Sequence, residues 1–127
     1  MERVEGFARR EEWLRSYQEI NEFEDQLVDH GVVLCKFWLH ISKDEQLRRF
    51  KERENEPRKQ HKITDEDWRN REKWDDYKLA VNDMVAHTSL DQTPWTLVSG
   101  NDKVNARIQI LETVCGALRN ALGLPPL

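Results

Sequence analysis

Seven basic side chains crowd between positions 48 and 62: Arg48, Arg49, Lys51, Arg53, Arg58, Lys59 and Lys62, against Glu52, Glu54 and Glu56. That window carries +4 in a chain of net charge −4, so the remainder carries −8. A basic island in an acidic protein can serve as a local anion site, with arginine offering a planar fork of donors and lysine a point charge. The same composition also describes a solvated helix face laced with ordinary ion pairs, and charge alone leaves both open. The overall negative charge speaks against nucleic-acid binding by the whole surface. The Trp/Arg-rich stretch 58–74 is a poor single-strand platform, because its tryptophans fit a buried stripe better than exposed stacking sites. Four histidines (His30, His40, His61, His87) are scattered singly, and no Cys/His spacing suits zinc. Cys35 and Cys115 sit in apolar runs and read as buried free thiols.

These side chains need elements to position them. Trp13, Tyr17, Ile20, Phe23 and Leu27 recur at three- and four-residue spacing and predict a helix over 8–29, ended by Gly31. The apolar, β-branched run 32–41 predicts a buried strand. Ser42 with Glu45 forms a capping-box pattern, opening a helix through Arg53 with Leu47 and Phe50 inward. Residues 54–63 contain Pro57 and no periodicity, and predict a loop. Thr64, with Asp67 three on, caps one helix to His87, with a core stripe of Trp68, Trp74, Tyr77, Val81 and Met84. A second strand is expected over 95–99. Asn101 or Asp102 then caps a last helix with the face Val104, Ile108, Leu111, Cys115, Leu118 and Leu122, stopped by Gly123 and Pro125-Pro126.

The order α-β-α-loop-α-β-α implies an α/β fold with a parallel strand pair and a right-handed crossover. Two strands alone make a poor sheet. Either further strands belong to the fold, or a second copy covers the edges. The expectation is one partial domain over 1–127 that forms a homo-oligomer. No run of eighteen apolar residues occurs, and the segment MERVEGFARREEW lacks the apolar core of a secretory signal. A cytoplasmic protein without membrane or nucleic-acid partners is expected.

Several motifs occur together and in order: ERVEGF (2–7), EINEFE (19–24), KFWLHISKDEQLRRFKER (36–53), KQHKITDEDWRNREKWDDY (59–77), PW (94–95) and DKVNAR (102–107). Over nearly its whole length the chain resembles the second family of polyphosphate kinases, most of all the polyphosphate:AMP phosphotransferase branch. The resemblance implies the C-terminal portion of a three-layer P-loop kinase fold, with a lid at 54–63 over the active site. It also implies that the Walker A and Walker B motifs lie upstream of ERVEGF. No G-x-x-x-x-G-K occurs in these 127 residues.

On that resemblance, the lid's phosphate-binding residues would be Arg49, Arg53, Lys59 and Lys62, while Arg48, Lys51 and Arg58 would be surface charges. Lys103 and Arg107 become candidates to face a nucleotide, and Asp75 and Asp76 could hold lid arginines. Glu2 and Arg3 would lie near the active site of the intact enzyme. Mg²⁺ is expected for that enzyme and is not expected to be bound by this chain alone. The implied partners are inorganic polyphosphate and a nucleoside mono- or diphosphate. The implied function is that of a lid-bearing segment of a polyphosphate-dependent nucleotide phosphotransferase, inactive alone. The alternative is a non-catalytic, self-associating structural fragment.

Overall fold

The computed structural model describes residues 2–58 and 63–125. Its elements are α1 (Arg10–Asp29), β1 (Lys36–His40), α2 (Lys43–Asn55), α3 (Asp65–Glu72), α4 (Trp74–Thr88), β2 (Trp95–Ser99) and α5 (Lys103–Ala121). The α/β order expected from periodicity is present, with three differences at element ends.

The first difference is in β1, which is half the length that its apolar run predicts. A strand exists only where a partner completes its ladder. β2 offers five positions, in parallel register from Lys36↔Trp95 to His40↔Ser99. Residues 32–35 have no such partner among the described residues. The second difference is in α2, which runs two residues past Arg53, so the expected loop begins as helix at residues 54 and 55. The third is a break at Lys73 in the predicted single helix 64–87; Lys73 ends α3 and starts α4 with φ −90° and ψ 25°. No Gly or Pro marks this point. Beside the break, Lys73 Nζ donates to Glu5 Oε2 at 2.8 Å, and the Tyr77 hydroxyl donates to Glu5 Oε1 at 3.2 Å.

Local signals place the helix starts. Ser42 Oγ accepts from the Glu45 amide at 3.2 Å. Thr64 and Asp67 exchange a reciprocal capping box. Asp102 caps α5 by accepting from Val104 and Asn105. Gly31, at φ 91°, supplies the left-handed turn that ends α1.

α1 packs on α4 through Tyr17, whose ring stacks on His87 at 5.0 Å. Arg3 seals the N-terminal turn against both helices, with its guanidinium 2.7 Å from Asp83 and 4.1 Å from the Trp13 ring centre. Lys36 joins four elements, and its only signal in the sequence is a single charge inside the apolar run 32–41. Its side chain, 6% exposed, donates to Glu24 Oε2 at 2.6 Å and to the Thr88 carbonyl at 2.5 Å. Its ammonium also lies 4.9 Å from the Trp95 ring centre.

The core is thin. Among the described residues the buried apolar side chains are Phe50, Val98 and Ala106. The α5 stripe, whose spacing promises an inward face, is instead open: Val104, Ile108, Leu111, Leu118 and Leu122 are all exposed, Leu122 to 71%. Leu39 and Leu97 on the two strands are likewise exposed. Cys115 lies on this open face and Cys35 is half-buried, so neither thiol is buried as expected. No described helix is long and apolar enough to cross a membrane.

Candidate functional site: a basic helical hairpin

α2 and α3 form a hairpin that carries the basic island. Phe50 on α2 meets Trp68 on α3 edge to face, with ring centres 5.0 Å apart. Arg71 Nη1 donates to the Lys43 carbonyl at 2.6 Å and to Gln46 Oε1 at 3.2 Å, closing the hairpin's base. The predicted core stripe is thereby divided. Trp68 belongs to this hairpin, while Trp74, Tyr77 and Val81 line a groove of about 770 Å³ between α4 and β1, together with His40 and Lys43.

The candidate phosphate ligands fall into three situations. Arg49 is largely buried and engaged: Nε donates to Glu45 Oε1 at 2.7 Å, and Nη2 donates to the Gly100 carbonyl at 2.5 Å and to the Asn101 carbonyl at 3.3 Å. Arg53, one turn further on, is half-buried and makes no side-chain hydrogen bond or ion pair among the described residues. Lys59 and Lys62, with His61, lie outside the described residues. Of the remaining charges, Arg48 is exposed and paired with Glu45 and Glu52, and Lys51 and Arg58 are exposed. The Arg48 and Arg49 guanidiniums hold the Glu45 carboxyl down at about 2.

Lys103 and Arg107 stand exposed on the first turns of α5. They follow directly on the Gly100–Asn101 turn that Arg49 grips, which is the connection the structure makes between the two candidate groups. Asp75 and Asp76 are exposed on α4 and pair with no arginine among the described residues. Arg3 is committed to Asp83 and Trp13. Sequence reasoning missed Glu5. Lys73 beside it holds its carboxyl below the usual carboxylate range, while burial and the Glu5 charge push the Tyr77 phenol up. Glu5 thereby pins the point where the hairpin rejoins α4. Among the described residues no three His, Cys, Asp or Glu side chains converge.

Arg53 therefore stands on the hairpin without a partner among the described residues, while Arg71 and the Phe50–Trp68 contact join α2 to α3. The family model for polyphosphate kinase 2 matches residues 1–122. The polyphosphate:AMP phosphotransferase of Pseudomonas aeruginosa is 54% identical over 121 residues, which are 95% of this chain and 24% of that protein. The polyphosphate:AMP phosphotransferase of Acinetobacter johnsonii is 56% identical over 119 residues, 94% of this chain and 25% of that protein. A polyphosphate kinase 2 crystal structure from Pseudomonas aeruginosa superimposes with a TM-score of 0.92 at 54% identity, over 96% of this chain and 26% of that one. One from Arthrobacter aurescens superimposes with a TM-score of 0.87 at 38% identity, over 97% of this chain and 42% of that one. The chain spans about a quarter of the length of the polyphosphate:AMP phosphotransferases it matches. The chain belongs to the polyphosphate kinase 2 family.

Proposed function

We propose that this chain is the lid-bearing portion of a phosphotransferase that moves a phosphoryl group between inorganic polyphosphate and AMP or ADP. The observation that carries the reading is the unbroken likeness to polyphosphate:AMP phosphotransferases through the basic hairpin. Phosphoryl transfer asks a protein mainly for positioning and for stabilisation of charge on the phosphate oxygens. In this reading Arg53 supplies a fork to those oxygens, and Lys59 and Lys62 supply point charges along the polyphosphate chain. The Phe50–Trp68 contact and the Arg71 bonds keep the hairpin's base in place while its tip engages the polymer. These 127 residues hold no G-x-x-x-x-G-K cradle, so the chain alone binds polyphosphate without turning it over.

A second reading, a self-associating structural unit, is favoured by the exposed α5 stripe and by exposed Leu39 and Leu97. The two readings separate in a titration at low salt, with long-chain polyphosphate and orthophosphate compared at equal phosphate concentration. The phosphotransferase reading expects saturable binding of the polymer alone, weakened by Arg53→Ala. Equal, weak response to both anions, or binding indifferent to Arg53→Ala, contradicts it.

A further inference from the structure

The start of α2 departs from an ordinary capping box. Ser42 Oγ accepts from the Glu45 amide, but the Glu45 carboxylate does not return to the Ser42 amide. That amide donates instead to Asn101 Oδ1 at 2.9 Å, from 59 residues away, and Asn101 Nδ2 reaches Ser42 Oγ at 3.4 Å. Released from the cap, Glu45 accepts from Arg48 and from Arg49. Arg49 then closes a ring by donating to the carbonyls of Gly100 and Asn101. The turn so held is itself fixed. The Gly100 amide donates to the His40 carbonyl at 2.7 Å, and a Cβ on Gly100 would sit 3.1 Å from Ile41 Cγ2. One residue further, Asp102 caps α5, which carries Lys103 and Arg107.

From this geometry we infer that Arg49 is a positioning residue, latching the basic hairpin to the β2–α5 turn so that hairpin and α5 N-terminus are set together. The inference rests on the reading of α2–α3 as a polyphosphate lid and assigns Arg49 a role other than phosphate ligand. Its side chain is 17% exposed, and its donors point at a carboxylate and two backbone carbonyls. Only a planar fork spans acceptors on both sides of this joint, and a lysine of equal charge has a single ammonium to offer. A ligand that steadies the hairpin therefore also steadies residues 100–105, and by linkage the reverse holds.

Hydrogen exchange on the full chain tests this, for wild type, Arg49→Lys and Arg53→Lys, with and without long-chain polyphosphate. Without ligand, Arg49→Lys is expected to exchange roughly ten-fold faster both at 42–46 and at 100–105, while Arg53→Lys matches wild type. With polyphosphate, wild type gains protection at both segments and Arg49→Lys gains it on the hairpin alone. Unaltered exchange at 100–105 in Arg49→Lys, with ligand protection still reaching that segment, overturns the latch. Loss of polyphosphate binding in Arg49→Lys with unchanged ligand-free exchange also overturns it, by making Arg49 a direct ligand. Absence of polyphosphate binding by wild type defeats the lid reading, and the ligand-free comparison still decides the latch. Should Arg49→Lys fail to fold, Glu45→Gln weakens the carboxylate side of the Arg49 fork while leaving Arg49 in place. Unchanged protection at 100–105 in that variant overturns the proposal.

Discussion

Replacing Lys36 by methionine keeps most of the side chain's length and removes its charge and its donors. In the folded protein that ammonium serves Glu24, 12% exposed, and the Thr88 carbonyl. Methionine leaves a nearly buried carboxylate and a buried carbonyl without a partner. Breaking one side of a buried ion pair costs about 3–5 kcal/mol, against a total stability on the order of 10 kcal/mol for a chain of this length. With an m-value of about 2 kcal/mol/M, urea midpoints should fall by about 2 M. Glu24→Leu alone also destabilises, since it strands the ammonium. The double variant Lys36→Met/Glu24→Leu removes both charges and leaves only the Thr88 carbonyl orphaned, a cost of about 1–3 kcal/mol. It should therefore be more stable than the sum of the singles by about 2 kcal/mol or more. Single costs below about 0.5 kcal/mol that simply add would refute the assignment of Lys36 as the joint between α1, β1, α4 and β2.

Acid should loosen the base of the hairpin. The Glu45 carboxyl is held at about 2 against an ordinary 4.5, so its bonds to Arg48 and Arg49 stabilise fully above about pH 4.5 and are lost as pH falls through 2. The stability gap between wild type and Glu45→Gln, followed by urea titration from pH 5 to 2, should be level at the top of that range and close toward the bottom; a constant gap contradicts the assignment. Exposed Ile108 and Leu111 should accept Ile108→Glu and Leu111→Lys within about 0.5 kcal/mol of wild type when the chain is monomeric. Sedimentation should show both variants less associated than wild type, and unchanged association would remove the α5 face from the interface.

Much of this fold was legible because its signals are local. Ser42, Thr64 and Asp102 are recognisable caps by residue type and spacing, and each caps the helix it announces. What failed depends on partners far along the chain. The run 32–41 looks like one strand, yet pairing with β2 admits only Lys36–His40. The break at Lys73 has no breaker residue, and the contact beside it is to Glu5, 68 positions earlier. The α5 stripe was rightly read as an apolar face, and nothing among the described residues covers it. In the candidate site the basic island was evident from charge alone. Composition could not separate Arg49, turned onto the Gly100 and Asn101 carbonyls, from Arg53, which is not so engaged.

The proposed lid role can be tested inside an intact relative. The most direct measurement exchanges the matching 121 residues of the Pseudomonas aeruginosa polyphosphate:AMP phosphotransferase for the corresponding stretch of this chain and follows polyphosphate-dependent phosphorylation of AMP. If the proposed lid role is right, the chimera is active and its kcat falls roughly 10²–10³-fold on Arg53→Ala, with its thermal midpoint unchanged. A chimera that folds like the parent yet transfers no phosphate, or one indifferent to Arg53→Ala, would contradict it.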